Sequence, residues 1–508
     1  MPPADDKRLC KGPLKDLLDD TFDQALRDVM QAWDIPGVSI ALVREADGGS
    51  EELVRCYGLC NRVDPVTEDT TFAIASNSKL FTALAVGRAL QSNGYNYDTR
   101  VRDILPEFGL QDELASRECT VADTLSHRTG LPGYHAIWTE DFNEMPFLER
   151  LKLLPPTLSF RSKFQYCNPA YEVAPMIVER LTSMPFTEYV SRELLEPFGM
   201  GDTSHKSSNA TALGYVPKLT PDGVRVGEGW DVRVALDRTG TMSGCAGMIS
   251  SARDMVKWLK ALPSIPEYNL TIVPRVVSSP NFLPSSSFYD PRSTYGLGVH
   301  QSTYRGTPIY EHTGEAAGFR GSAVRRFPTL GVGLAVMCNS NEGVEVTGWV
   351  EMVLLDKLLG LEPSDWKRKF DETRGQRHAP RIKDYPSIPG NPDLTPPSSI
   401  FGTWASPGLL TVTLGPSNFL PTRPECVQLP WLPWLYGSTR PVLTCIEQGK
   451  LAGCQEWVSS QDGVVRYGDP FKAELAKGGL ELRIYGWSVQ SPEVPERDCP
   501  IILRKVGE

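Results

Sequence analysis

A serine and a lysine three positions apart, Ser76 and Lys79, are the residues best placed by type and spacing to do chemistry. They sit where the apolar stretch Phe72-Ala-Ile-Ala75 runs into an apolar, helix-patterned run from Leu80 to Leu90. Positions i and i+3 are neighbours on a helix surface. The spacing therefore predicts a hydroxyl and an amine side by side at a helix N-terminus. An amine whose pKa is lowered by burial or a nearby cation can take the hydroxyl proton. The first backbone N–H groups of the helix favour negative charge developing next to them. These are the parts of a nucleophilic serine. A second copy of the pattern, Ser364-x-x-Lys367, lies in a charged stretch with no strand before it. It reads as a solvated helix start with Ser364 as cap.

A serine nucleophile also needs a base, an oxyanion hole and an acid for the leaving group. Tyr166-Cys167-Asn168 is the one Tyr-x-Asn in the chain, and Pro169 after it places Asn168 in extended or loop structure. A tyrosine is a weak base at its usual pKa of about 10, but a neighbouring ammonium favours the phenolate. His312-Thr313-Gly314 is the one His-x-Gly, at the end of a predicted strand Ile309–Glu311. A glycine there would let a substrate come close to the backbone. An edge strand could pair with an extended substrate and aim an N–H at its carbonyl. Arg320 and Arg325 could bind an acid group, though surface salt bridges are the plainer expectation. Cys167 reads as a packing residue, since an extended backbone turns it away from Tyr166 and Asn168.

The elements that must hold these residues are visible as patterns. Residues 14–30 form one helical face, Pro36-Gly37 turns the chain into a buried strand Val38–Val43, and Leu53–Tyr57 supplies its partner. From about 100 to 285 the chain reads as helices joined by long loops, including Pro175–Leu181, Phe186–Phe198 and Ala252–Leu262, the last capped by Ser250 or Ser251. Strands return at Tyr295–Val299, Ile309–Glu311, Ser322–Arg326 and Val332–Cys338, followed by a helix Val344–Leu359. One sheet built from both ends of the first 370 residues, with a helical part inserted, accounts for this order. Six prolines between 380 and 397 mark a linker, assigned to 371–399. Short strands from 400 to 508 indicate an all-β domain, with the aromatic run Pro430–Trp434 packing beneath it.

Composition narrows the classes. The 508 residues carry 52 basic and 62 acidic side chains, a formal charge of −10, with no basic patch suited to nucleic acid. The eleven cysteines are scattered without metal-site spacing and read as reduced, buried thiols. With no signal-peptide pattern and no run long enough to span a bilayer, a cytoplasmic location is expected.

Taken in order, Ser76-x-x-Lys79, Tyr166-x-Asn168 and His312-Thr313-Gly314 resemble the three signatures of the serine β-lactamase and penicillin-binding protein family, with its class C β-lactamases, DD-carboxypeptidases and esterase relatives. Trp33–Ile40, Thr120–Pro132, Gly244–Ser251 and Tyr295–Gly298 are similar to further segments of it, so the likeness covers roughly residues 15–360. The resemblance implies a β-lactamase/transpeptidase-like α/β fold, an antiparallel sheet flanked by helices plus an inserted helical domain, followed by a β tail that Phe401-Gly-Thr-Trp404 makes lipocalin-like. It implies an acylated Ser76, with Lys79 and Tyr166 sharing the base role. It places Asn168 against Lys79 and the substrate, and the backbone N–H groups of Ser76 and Glu315 in an oxyanion hole. His312 stands where β-lactamases usually carry lysine, which lowers the expectation of β-lactam hydrolysis and raises that of ester, amide or peptide hydrolysis. The substrate implied is a small-molecule acyl donor, with no cofactor, no metal and no nucleic acid. Transfer of the acyl group to an acceptor, as in natural-product biosynthesis, is the alternative, and a non-catalytic binding protein the third reading.

Overall fold

The computed structural model describes residues 12–46, 48–134, 137, 145–216, 230–232, 242–278, 288–289, 293–316 and 318–378. Beyond these it describes 400–406, 410–415, 419–420, 423–428, 439–447, 450–459, 463–476, 481–485 and 501–506. An eight-stranded antiparallel sheet organises the larger part. Its strands run in the order Gly49–Gly58, Gly37–Ala46, Val332–Cys338, Phe319–Phe327, Thr307–Ala316, His300–Tyr304, Ser293–Tyr295 and Val276–Ser278. Val38 pairs with Cys338 and Arg44 with Val332, so segments some 300 positions apart close one ladder. The sheet is built from both ends of the first 370 residues, as the strand patterns indicate.

Both faces of the sheet are covered, which explains why Val332–Cys338 and the first seven residues of Gly37–Ala46 are almost wholly apolar. Successive side chains point to opposite faces. Val38, Ile40 and Leu42 pack with the helices Asp20–Trp33 and Val344–Leu358, while Ala41 and Val43 join the core on the other side. That second core holds the helix Ala252–Ala261 and the helix Ser78–Ser92. Ser78–Ser92 is buried on all sides from Ser78 to Gly87, which fits an apolar helix threaded through a core. Ser251 caps Ala252–Ala261 through its side chain.

Several boundaries differ from the sequence reading. The first helix is broken, a 3₁₀ turn Leu14–Asp16 preceding Asp20–Trp33, because Asp19 caps the latter by accepting from Phe22 N–H at 2.8 Å. Tyr295–Val299 is not a strand: Gly298 takes φ +78° in a turn between Ser293–Tyr295 and His300–Tyr304. Ser364 does not cap the helix Trp366–His378; Asp365 does, accepting from Arg368 N–H at 3.0 Å. That helix crosses position 371, where the linker was expected to start, and the proline-rich residues 379–399 lie outside the described residues.

The tail forms a second, nine-stranded antiparallel sheet. It follows the chain from Phe419–Leu420 through Arg423–Gln428, Thr439–Glu447, Lys450–Ser459, Gly463–Ala476 and Glu481–Tyr485, then continues with Ile501–Lys505, Gly402–Ser406 and Leu410–Leu414. Buried Trp404 is anchored by its indole N–H on Ile400 O at 2.8 Å. Among the described residues the two outermost strands, Phe419–Leu420 and Leu410–Leu414, do not pair with each other. Pro430–Trp434 lies outside the described residues.

Candidate active site

Ser76 stands on a 3₁₀ turn, Ala75–Asn77, wedged between the short strand Thr71–Ala73 and the helix Ser78–Ser92. Thr71–Ala73 pairs with Ile249–Ser251, outside the main sheet, and Ile74 N–H reaches Met248 O at 3.0 Å. Ala75 is fully buried at φ +46°, a conformation that costs an L-residue on the order of 1 kcal/mol or more. Side chains on either side hold it there. Ser78 Oγ donates to Ala75 O at 2.6 Å, and Asn77 Nδ2 donates to Ile74 O at 3.0 Å and to Ser322 Oγ at 2.9 Å.

The three segments converge on the serine hydroxyl. Lys79 Nζ lies 3.1 Å and Tyr166 OH 2.8 Å from Ser76 Oγ. Lys79 is completely buried, donates to Cys245 O at 2.7 Å, and stands 4.9 Å from the Tyr166 ring centre. Its ammonium thus meets one carbonyl, one hydroxyl and the faces of Tyr166 and Tyr171. Asn168 is buried at the head of the helical turn Asn168–Tyr171, not in an extended segment. Cys167 is buried, and the loss of solvation pushes its thiol up to about 12, in line with a packing role.

His312-Thr313-Gly314 lies inside the strand Thr307–Ala316, not at its end. On one side this strand pairs with Phe319–Phe327 from Tyr310 to Ala316; on the other, its pairing with His300–Tyr304 stops at Glu311. Among the described residues no strand lies against that edge from His312 onward. The ladder with Phe319–Phe327 changes register between Gly314 and Ala316, a bulge at Glu315. At Gly314 the protein's own backbone comes close. A Cβ there would sit 2.1 Å from Ile74 O and 2.3 Å from Ser322 Oγ.

His312 belongs to a stack of rings. Its Nδ1 meets Thr313 O at 2.6 Å and its Nε2 meets Tyr295 OH at 3.1 Å. A carbonyl can only accept, so Nδ1 carries the proton and Nε2 accepts from the phenol. Burial first, then the nearby His300 and Lys79, push the imidazole well below its ordinary value. The ring is therefore neutral at neutral pH. His127 lies against the other face of Tyr166, ring centres 4.3 Å apart, and accepts from Cys167 N–H at 3.0 Å. Arg325 is no surface group: it is 2% exposed and paired with Glu351 at 2.8 Å and Glu311 at 3.0 Å beneath the sheet. Arg320 pairs with Glu315 at 2.8 Å near the bulge.

Sequence reasoning overlooked Tyr295, His300, Cys245 and Glu172 as neighbours of the site. Tyr295 and Cys245 lie in segments already singled out for their likeness. Glu172, six positions after Tyr166, carried no signal. Among the described residues no cluster of His, Cys, Asp and Glu is arranged to hold a metal ion.

A profile of the family described as Beta-lactamase matches residues 22–355. The chain belongs to the beta-lactamase family. Among curated members of this set of relatives, an unguisins hydrolase of Aspergillus campestris is 26% identical over 78% of this chain and 78% of its own length. A second unguisins hydrolase, of Aspergillus violaceofuscus, is 26% identical over 74% of this chain and 72% of its own. Among solved structures, the octameric penicillin-binding protein homologue from Pyrococcus abyssi superposes with a TM-score of 0.56 at 18% identity, over 95% of this chain and 99% of that one. A class C beta-lactamase gives 0.52 at 19% identity, over 69% and 97%. The fold is thus the beta-lactamase/transpeptidase fold, with an added C-terminal sheet. No described helix is long and apolar enough to cross a membrane.

Proposed function

We propose that the protein is a serine hydrolase that works through a covalent acyl-Ser76 intermediate on an ester, amide or peptide-like substrate. The observation that carries this reading is the contact of both Lys79 Nζ and Tyr166 OH with Ser76 Oγ, from segments ninety positions apart. As Oγ bonds to the substrate carbonyl carbon, its proton passes to the Tyr166–Lys79 pair, which returns it to the leaving group as that bond breaks. Water then enters by the reverse path and frees the acid. The backbone N–H groups of Ser76 and Glu315 receive the oxyanion, and Asn168 aligns the acyl chain. An extended acyl donor runs along the open edge from His312 to Ala316.

Neutral His312 offers no positive charge to a substrate carboxylate, so the preferred acyl donor lacks one beside the scissile bond. The relatives named as hydrolases favour water over another acceptor. The test is mass spectrometry after exposure to a fluorophosphonate, together with turnover of an activated ester. We expect a single adduct on Ser76, absent in Ser76→Ala, whose turnover falls by orders of magnitude. Hydrolysis unchanged in Ser76→Ala removes Ser76 from the mechanism.

A further inference from the structure

Glu172 takes no part in the chemistry just proposed, yet it is built into the support of Lys79. It lies between the turn Asn168–Tyr171 and the helix Val173–Thr182, only 4% exposed. Its carboxylate accepts from two consecutive amides. Oε1 takes Cys245 N–H at 2.8 Å, and Oε2 takes Gly244 N–H at 3.2 Å. The other side of the same turn faces the nucleophile helix. Gly244 O accepts from Thr82 Oγ1 at 2.7 Å, and Cys245 O accepts from Lys79 Nζ at 2.7 Å.

The Gly244–Cys245 peptide is therefore held at both ends, by Glu172 on its N–H and by Thr82 on its C=O. The next carbonyl, Cys245 O, is left pointing at Lys79. There is no room for a side chain at Gly244, where a Cβ would meet the Pro175 ring at 2.8 Å and Tyr171 O at 2.9 Å. The titratable groups that face Glu172 are the Lys79 ammonium from the nucleophile helix and the Cys245 thiol from the turn. Burial pushes the Glu172 carboxyl up to about 7, while its amide donors and Lys79 pull it down.

We propose that Glu172 is a positioning residue for Lys79: it fixes the turn whose carbonyl holds the amine beside Ser76. The proposal rests on the hydrolase reading, because it gives Lys79 a proton to carry. Loss of position lowers kcat and leaves KM nearly unchanged.

The experiment compares Glu172→Gln with Thr82→Val in the full-length protein, using p-nitrophenyl acetate turnover and the rate of fluorophosphonate labelling across pH. Thr82→Val removes the other tether of the turn and leaves the carboxylate in place. We expect kcat to fall about 10- to 100-fold in both variants with KM within about twofold, since a displacement near 1 Å has that effect. Wild-type kcat in Glu172→Gln, or an effect carried by KM with kcat unchanged, overturns the proposal. If circular dichroism shows Glu172→Gln unfolded, Glu172→Asp decides: it stops one carbon short of the two amides, so kcat should fall, and wild-type kcat in Glu172→Asp overturns the proposal. Wild-type protein that never labels on Ser76 ends the hydrolase reading itself, whereas normal labelling with wild-type kcat in Glu172→Gln ends only this inference.

Discussion

Replacing Gly314 with alanine would test whether the free-edge strand and the nucleophile turn are locked at a single separation. The new methyl would stand 2.1 Å from Ile74 O, 2.3 Å from Ser322 Oγ and 2.9 Å from Asn77 Nδ2. Comfortable contact begins near 3.5 Å, so the turn or the strand must retreat by roughly 1 Å. The nearest atom is a backbone oxygen, which cannot swing away as a side chain can. Three hydrogen bonds cross this point: Asn77 to Ile74 O at 3.0 Å, Asn77 to Ser322 at 2.9 Å, and Ser322 to Ile74 O at 2.9 Å. Overpacking of a tight core costs about 1–3 kcal/mol, and each buried bond lost adds about 1 kcal/mol. At about 2 °C per kcal/mol for a large domain, Tm should fall by roughly 5–10 °C. A shift near 1 Å of Ser76 relative to the strand should also slow fluorophosphonate labelling about 100-fold. Thermal unfolding and labelling kinetics measure the two effects. Gly201→Ala is the control, since a Cβ there meets nothing within 4 Å. A Gly314→Ala protein that melts and labels like wild type would refute the argument that close backbone approach sets the glycine.

Two further perturbations address the base and the frame. Tyr166→Phe keeps the ring against Lys79 and His127 but deletes the hydroxyl 2.8 Å from Ser76 Oγ, so kcat should drop about 10²- to 10⁴-fold while Tm barely moves; steady-state turnover at wild-type level would take Tyr166 out of the proton path. Asp123 is fully buried and accepts from Arg128, Arg161 and Thr120, so Asp123→Asn should destabilise by about 3–5 kcal/mol at neutral pH, read by denaturant unfolding. Burial alone would raise this carboxyl, but Arg161, Thr120 and Arg128 outweigh it and hold it below its ordinary value. A depressed folded pKa stabilises above the usual carboxylate range and is lost as pH falls through it, so the gap between wild type and variant should narrow below about pH 4. A gap of the same size at neutral and acidic pH would contradict the pairing.

Much of the site was legible because it is written in local patterns. A strand-to-helix junction carrying Ser76 and Lys79 needs only helical periodicity to put hydroxyl and amine on one face, and the 3.1 Å contact follows. The strands Gly37–Ala46 and Val332–Cys338 announced themselves as apolar runs, since both their faces are covered. Arg325 was misread because a charged residue in a strand looks like a surface residue. Nothing local reveals that Glu311 and Glu351 wait for it under the sheet. The neutrality of His312 was not legible for the same reason, being a property of the rings and the amine packed round it. Glu172 was missed because its role depends on two amides more than seventy positions away.

By itself the sequence determined which residue types are available, their helical or extended spacing, and a family likeness strong enough to name a fold. Only the tertiary structure decided that Tyr166 touches Ser76, that Gly314 makes room for Ile74, and that Lys79 is held from behind by a carbonyl whose own turn is bonded to Glu172. The reason is one of range. Backbone periodicity acts over a few residues and can be read along the chain, whereas desolvation, ring stacking and hydrogen bonds between distant segments exist only once the chain has folded and excluded water from between them.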